Sequence, residues 1–157
     1  MQKITPFLWF DNQAEEAMNF YTGIFKNSKP GKISRYSNNV PGKAGQVMTA
    51  SFELFGLEFI ALNGGPLFHF SESVSFLIHC EDQQEVDYYW EKLTADGGTE
   101  SRCGWLKDKF GLSWQIVPNA LPEMLTDKDP VRASRVMQAM LAMGKIDINA
   151  IKQARDQ

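Results

Sequence analysis

The hydrophobic pattern of the chain predicts the same series of elements twice. Aromatic and β-branched stretches that indicate strands precede apolar residues at helical spacing, and three further strand-like stretches follow. In the first half we expect a strand at 4–10, a helix at 13–25, and strands at 33–37, 46–54 and 57–62. In the second half we expect a strand at 74–80, a helix ending at 95, and strands at 99–102, 105–108 and 112–117. The order is therefore β-α-β-β-β in both halves.

Capping residues and a helical tail complete this pattern. Asp11 or Asn12 is expected to cap the first helix, and Glu81 or Asp82 the second, because short polar side chains satisfy free amides at a helix start. After the last strand, apolar spacing predicts helices at 121–125, 131–143 and 148–154. A stripe of Met137, Met140 and Met143 would pack on the body of the protein or on a second subunit.

Short sequence matches support an internal repeat. Phe-Gly-Leu occurs at 55–57 and at 110–112, an offset of 55 residues. Phe-Leu occurs at 7–8 and at 76–77, an offset of 69 residues, and the same offset aligns Tyr21 with Trp90 and Ile24 with Leu93. Because both matches occur in the same order, the chain is interpreted as two related modules.

Length and composition narrow the class of protein. A chain of 157 residues predicts one α+β domain, with a first module at about 1–63, a second at about 74–118 and a helical tail at about 119–157. A net charge of −3 argues against a nucleic-acid partner, and no apolar run is long enough to cross a membrane. Residues 1–10 lack the features of a signal peptide. With only Cys80 and Cys103, we expect free thiols and a cytoplasmic location.

The twofold β-α-β-β-β pattern resembles the vicinal oxygen chelate superfamily, which includes glyoxalase I, extradiol dioxygenases, and bleomycin- and fosfomycin-resistance proteins. The hairpin with Asp108, Gly111, Trp114 and Gln115, together with the tail at 135–147, is more similar to the PhnB-like branch, often labelled demethylubiquinone methyltransferase-like. The resemblance implies paired modules that enclose a cleft, and commonly a homodimer. Methyl transfer receives little support, since no glycine-rich turn joins a first strand to its helix.

The resemblance also implies where a metal would be held. Superfamily enzymes usually bind a divalent ion through four side chains, mostly His and Glu, two from each half. Those positions fall on Pro6, Ile60, Ser75 and Gln115. Proline and isoleucine offer no side-chain donor, and a neutral amide is a weak ligand. We therefore expect no metal at this site and predict no cofactor.

Strand alternation then predicts which residues face the cleft. The expected ligand pocket is mostly apolar with a few polar groups, as small-molecule pockets usually are. Its predicted members are Leu8, Phe10, Glu58, Ile60, Leu62, Ser75, Leu77, His79, Trp105, Ser113 and Gln115.

Three of the polar residues are candidates for chemistry. His79 could act as a base or simply bond to backbone or water; Gln115 could bind a carbonyl or phosphate oxygen or be a satisfied buried amide. Cys103 could be a nucleophile only with a lowered pKa, and a half-buried free thiol is the simpler interpretation. Trp9 and Trp114 are expected in the core, and Asp108 is expected to fix the hairpin turn.

Three functions remain open from sequence. The first is a metal-independent small-molecule-binding protein whose ligand the sequence does not name. The second is an enzyme, a lyase, isomerase or transferase that uses His79 or Gln115. The third is an interaction module based on the methionine-rich tail.

Overall fold

The computed structural model describes residues 1–157 and divides into two compact units, Met1–Phe70 and Ser71–Gln157. Each unit contains one four-stranded mixed sheet with helices, so the predicted α+β class and the paired β-α-β-β-β modules are confirmed. That the chain behaves as a single domain stays a prediction. No helix in this structure is long and apolar enough to cross a membrane.

The first unit is built on a sheet in the order β1-β4-β3-β2. Its elements are β1 (Phe7–Phe10), α1 (Ala14–Ile24), β2 (Ser28–Arg35), β3 (Val47–Leu54) and β4 (Leu57–Asn63). β1 runs parallel to β4, and the other neighbours are antiparallel. The apolar side of α1 packs on one face of this sheet, where Tyr21 is fully buried and the rings of Phe52 and Phe59 stack at 5.3 Å.

The second unit repeats this topology in the order β5-β8-β7-β6. Its elements are β5 (Ser75–Cys80), α2 (Gln83–Thr94), a short 3-10 turn (Ala95–Gly97), β6 (Thr99–Glu100), β7 (Trp105–Lys107) and β8 (Ser113–Pro118). β5 and β8 are parallel, as β1 and β4 are in the first unit. Trp90 and Leu93 of α2 are buried beside the strands, together with Leu106 and Ile116.

The tail forms three helices within the second unit, α3 (Ala120–Leu125), α4 (Pro130–Leu141) and α5 (Ile148–Asp156). They share a small core that includes Val136, Ile146 and Ile151, each fully buried. Met140 and Met143 pack against this core, whereas Met137 remains 42% exposed. Met140 and Met143 thus serve the tail's own packing, and Val117 of β8 packs against the same core.

Strand register corrects the predicted offset between the two first strands. Phe7 pairs with Ile60 in the first sheet, and Leu77 pairs with Gln115 in the second. Since Ile60 and Gln115 are 55 residues apart, the residue equivalent to Phe7 is Leu77, an offset of 70 rather than 69. The helices keep the offset of 69, because three residues separate β1 from α1 but only two separate β5 from α2.

The helix caps differ from expectation in the first unit. Neither Asp11 nor Asn12 caps α1; the side-chain oxygen of Asn63 instead accepts a hydrogen bond from the amide of Ala14 at 2.8 Å. A residue at the end of β4 therefore supplies the hydrogen-bond acceptor for a free backbone amide at the start of α1. In the second unit Asp82 is the cap, accepting from the amide of Glu85 at 2.9 Å.

Candidate functional site

One face of the second sheet is left uncovered along β5. Ser75, Leu77 and His79 alternate onto this face, while Ile78 and Cys80 point into the core under α2. Leu77 is 43% exposed, and His79 is exposed as well. Parallel pairing brings Ser75 beside Ser113, Leu77 beside Gln115 and His79 beside Val117, so the predicted residues of this half do share one face.

A pocket of about 580 Å³ lies along β6, β7 and the turn between them, with Ser113 of β8 among its lining residues. We call it the second-unit pocket. Apolar surface comes from Trp105 and Leu106, and the polar residues that line it are Thr99, Ser101, Cys103, Ser113, Glu72, Glu100, Arg102 and Lys107. Its size and mixed lining are within the range of small-molecule sites. Of the residues predicted from sequence, it contains Trp105, Ser113 and Cys103.

Ser113 is the buried polar group of this pocket. It is 1% exposed, and its hydroxyl oxygen has no hydrogen-bond partner. A buried hydroxyl without a partner costs about 1–3 kcal/mol, so such groups are rare in folded proteins. Because this oxygen is itself inaccessible, Ser113 is an unsatisfied group behind the wall of the pocket and not a surface that a ligand would contact.

The charged groups around Ser113 differ in whether they are paired. Lys107, opposite Ser113 in the β7–β8 register, forms an ion pair with Glu72. The hydrogen bond from the ammonium group lowers the pKa of the Glu72 carboxyl below its usual value. Glu100 accepts a 2.8 Å hydrogen bond from the indole of Trp90. The side chain of Arg102 has no hydrogen-bond or ion-pair partner in the structure, so its guanidinium is available.

The position of Arg102 in the lining of the second-unit pocket was not predicted from the sequence. Strict alternation placed it on the opposite face from Cys103, yet both residues line the pocket. β6 ends at Glu100, and the chain then turns, with φ of 57° at Cys103 and 81° at Gly104. Gly104 is required there, because a β-carbon would lie 2.8 Å from the carbonyl oxygen of Ile116. A short strand followed by glycine was the signal in the sequence that alternation would fail.

The hairpin turn behind the pocket is held by Asp108, as predicted. The buried carboxylate accepts hydrogen bonds from the amides of Phe110 and Leu112 through one oxygen, at 2.9 and 3.1 Å. The other oxygen accepts from the indole nitrogen of Trp114 at 2.9 Å. Because Trp114 is a core residue, 3% exposed, this network ties the turn to the sheet and fixes the strands that carry Lys107 and Ser113.

The expected metal positions carry donors poorly suited to a divalent ion. In the second unit the amide nitrogen of Gln115 donates to the hydroxyl of Ser75 at 2.9 Å, so these two neutral groups bond to each other. In the first unit the register sets Thr5, not Pro6, as the equivalent of Ser75. No cluster of three or more His, Cys, Asp or Glu side chains that could hold a metal ion occurs in residues 1–157. The donor set therefore does not fit the superfamily's ion.

The candidates for acid–base or nucleophilic chemistry do not converge. His79 lies on the uncovered face, but neither it nor Gln115 lines the second-unit pocket. Cys103 is half-buried in the pocket wall, and its amide donates to the carbonyl of Met143 at 2.9 Å. Burial, reinforced by the Glu85 and Asp82 carboxylates, raises the pKa of the Cys80 thiol to about 12. Cys80 is therefore a core residue rather than a nucleophile.

In the first unit, part of the predicted pocket is wrong. Leu8 and Phe10 are 6% and 3% exposed and belong to the core that packs against α1. Register explains the error, because Phe7 shares a face with Ile60 and a one-residue slip moves every side chain of a strand to the other face. Ile60 and Leu62 are half-buried and Glu58 is exposed, on the face away from α1.

The prediction that Trp9 lies in the core against the helix is also wrong. Trp9 shares the face of Phe7 and Leu62, opposite to α1. Its indole nitrogen donates to the carbonyl of Gly65 at 2.9 Å. The ring of Phe68 meets the indole edge-on at 4.9 Å. The tryptophan thus holds the segment that follows β4.

Comparison with known proteins supplies the family. The family model described as 3-demethylubiquinone-9 3-methyltransferase matches residues 2–117. A search of curated proteins found no match. Among solved structures, a PhnB protein from Bacillus cereus is 42% identical, with a TM-score of 0.67, over 74% of this chain and 99% of its own.

More distant structures share the fold alone. Protein PA1353 from Pseudomonas aeruginosa is 17% identical, with a TM-score of 0.61, over 75% of this chain and 98% of its own. The fosfomycin resistance protein FosX from Listeria monocytogenes is 16% identical, with a TM-score of 0.55, over 78% of this chain and 97% of its own. Because the family model covers residues 2–117 and the PhnB protein is 42% identical, the chain belongs to the PhnB-like 3-demethylubiquinone-9 3-methyltransferase family.

Proposed function

We propose that this protein binds a small organic molecule in the second-unit pocket and does so without a divalent metal. The observation that carries the proposal is the pocket of about 580 Å³ itself, which is lined both by the indole of Trp105 and by the unpartnered side chain of Arg102. A ligand there can bury apolar surface against the indole and accept hydrogen bonds from the guanidinium.

The side chains at the expected metal positions support binding without a metal. Gln115 and Ser75 satisfy each other, and neither offers the charge that makes a carboxylate a strong ligand for a hard cation. A ligand would instead be held by hydrogen bonds from the protein and by contact with the indole of Trp105. Binding of this type should survive treatment with a chelator.

Methyl transfer, which the family description names, is not adopted. The glycine pair Gly64–Gly65 follows β4 and leads into an irregular segment rather than a helix. A β-carbon at Gly64 would lie 2.4 Å from the ring of Trp9, so this glycine makes room for an indole. Its role is explained by packing. Enzymatic use of His79 is not favoured either, because that side chain does not line the pocket.

The test is ligand binding to chelator-treated protein. A panel of small aromatic compounds is screened by ligand-observed NMR in the presence of EDTA. The variant Ser101→Trp fills the pocket from an exposed lining position, and Lys92→Trp places the same bulk on the exposed side of α2 as the matched control. We expect compounds that bind the wild type and Lys92→Trp but not Ser101→Trp. Equal binding to all three proteins, or binding abolished by EDTA, would refute the proposal.

The association of two copies stays a prediction. Sedimentation equilibrium on the full chain would test it directly, with a monomer mass at all concentrations as the contrary result.

A further inference from the structure

The unpartnered groups of the second-unit pocket are mainly hydrogen-bond donors. The guanidinium of Arg102 carries five N–H groups and has no partner. The indole nitrogen of Trp105, another lining residue, also donates to no protein group. Glu72 is paired with Lys107, whereas Glu100 accepts one hydrogen bond from the neutral indole of Trp90 and keeps its negative charge. An occupant rich in acceptors would therefore be complementary to this pocket.

The charged residues that line the pocket restrict further which ligand it could bind. After the Glu72–Lys107 pair neutralises itself, one charge of each sign is left, on Glu100 and on Arg102, and Arg102 is the cation whose side chain has no partner. A planar guanidinium matches a carboxylate through two parallel hydrogen bonds. Glu72 and Glu100 line the same pocket, so a second negative charge on the ligand would be repelled. A singly charged carboxylate fits these conditions better than a doubly charged phosphate.

The apolar wall indicates the rest of the ligand. Trp105 is half-buried and offers a flat surface beside Arg102. Aromatic rings pack favourably against an indole, and apolar contact supplies most of the affinity in small-molecule sites. We propose, as a deepening of the proposed function on which it rests, that the second-unit pocket selects a planar aromatic monocarboxylate, with Arg102 binding the carboxylate and the indole of Trp105 packing against the aromatic ring.

The experiment uses three probes of one shape on the full chain. Naphthoate, naphthamide and naphthylmethylammonium differ mainly in charge, and isothermal titration calorimetry gives the dissociation constant of each. We expect naphthoate to bind at least about tenfold more tightly than naphthamide, the equivalent of about 1.4 kcal/mol, and the cation to bind most weakly. Arg102→Gln should remove the preference. Arg135→Gln, a matched change on α4 outside the pocket lining, should keep it.

Each other outcome has a distinct meaning. If naphthamide binds as tightly as naphthoate and Ser101→Trp blocks both, the carboxylate inference fails while the proposed function stands. Tightest binding of the cation would likewise overturn the ligand class. A preference for naphthoate that persists in Arg102→Gln would refute the role of Arg102. If none of the probes binds the wild type at millimolar concentration, the inferred ligand class fails, and the compound panel with Ser101→Trp and Lys92→Trp decides the proposed function separately.

Discussion

Gln115 and Ser75 lie on adjacent parallel strands and are joined by a 2.9 Å hydrogen bond from the amide nitrogen to the hydroxyl oxygen. These are the two positions of the second half at which a metal ligand is expected from the superfamily. A pair that satisfies itself gains little from an ion, because binding would break this bond and replace it with two weak neutral ligands.

We therefore predict that divalent ions do not stabilise the protein through this pair. Excess Zn²⁺, Mn²⁺, Ni²⁺ or Fe²⁺ should leave the melting temperature of the wild type unchanged in a thermal-shift titration. Specific binding at a hundredfold excess over the dissociation constant would add about 2.7 kcal/mol. Gln115→Ala serves as the control: a stabilisation seen in the wild type and lost in that variant would show that an ion is held here.

Two serines on the same face should respond oppositely to substitution. Ser113→Ala removes a buried hydroxyl without a partner, so we expect the free energy of unfolding to rise by about 1 kcal/mol. Ser75→Ala removes the acceptor of the Gln115 amide and should cost about 1 kcal/mol. Urea unfolding of both variants measures the difference. A loss of stability in Ser113→Ala would mean that its hydroxyl is satisfied in solution.

The strand-level architecture could be predicted from sequence because hydrophobic period and turn residues are local signals. The element order and both helices follow from them. The faces of the first strand could not be predicted in the same way. Phe7-Leu8 matches Phe76-Leu77 by letter, but Phe7 is equivalent to Leu77 in the structure. One extra residue before α1 shifts the helix relative to the strand, and no local pattern reports on that loop.

The site was predictable where strands are regular and not where they end. Ser113 follows alternation and shares a face with Ser75 and Leu77, as strand parity predicts. Arg102 lies beyond the end of β6, where the backbone adopts positive φ at Cys103, so its direction depends on a turn. The hydrogen bond from the amide of Ala14 to the side chain of Asn63 could not be predicted from local sequence either, because 49 residues separate the two.

Gly64 should tolerate no side chain, because the ring of Trp9 occupies the place of a β-carbon. We expect Gly64→Ala to lower the free energy of unfolding by about 1–3 kcal/mol and to shift the tryptophan fluorescence. Gly23 is the matched control, as it lies exposed in α1 with nothing within 4 Å of a β-carbon. Gly23→Ala should raise stability by about 0.5–1 kcal/mol. Equal effects at the two glycines would contradict the close contact with Trp9.

The buried thiol of Cys80 and the buried phenol of Tyr89 should make the stability of the protein depend on pH in the alkaline range. Burial is the main cause that raises the pKa of Cys80 from 9.0 to about 12 and that of Tyr89 from 10.0 to about 12. In the unfolded chain these groups lose their protons at lower pH, so the unfolded state binds fewer protons across this interval. Their contribution to stability is complete below about pH 9 and is lost progressively as the pH rises towards 12.

The free energy of unfolding should therefore fall above about pH 9, with a slope of up to about 1.4 kcal/mol per pH unit for each group. Urea unfolding under reducing conditions, repeated at increasing pH, measures this slope. Cys80→Ala should flatten the first part of the decline, and Tyr89→Phe should flatten the part above about pH 10 while keeping the ring in the core. If both variants retain the slope of the wild type, the burial of these two groups is not the cause of the alkaline sensitivity.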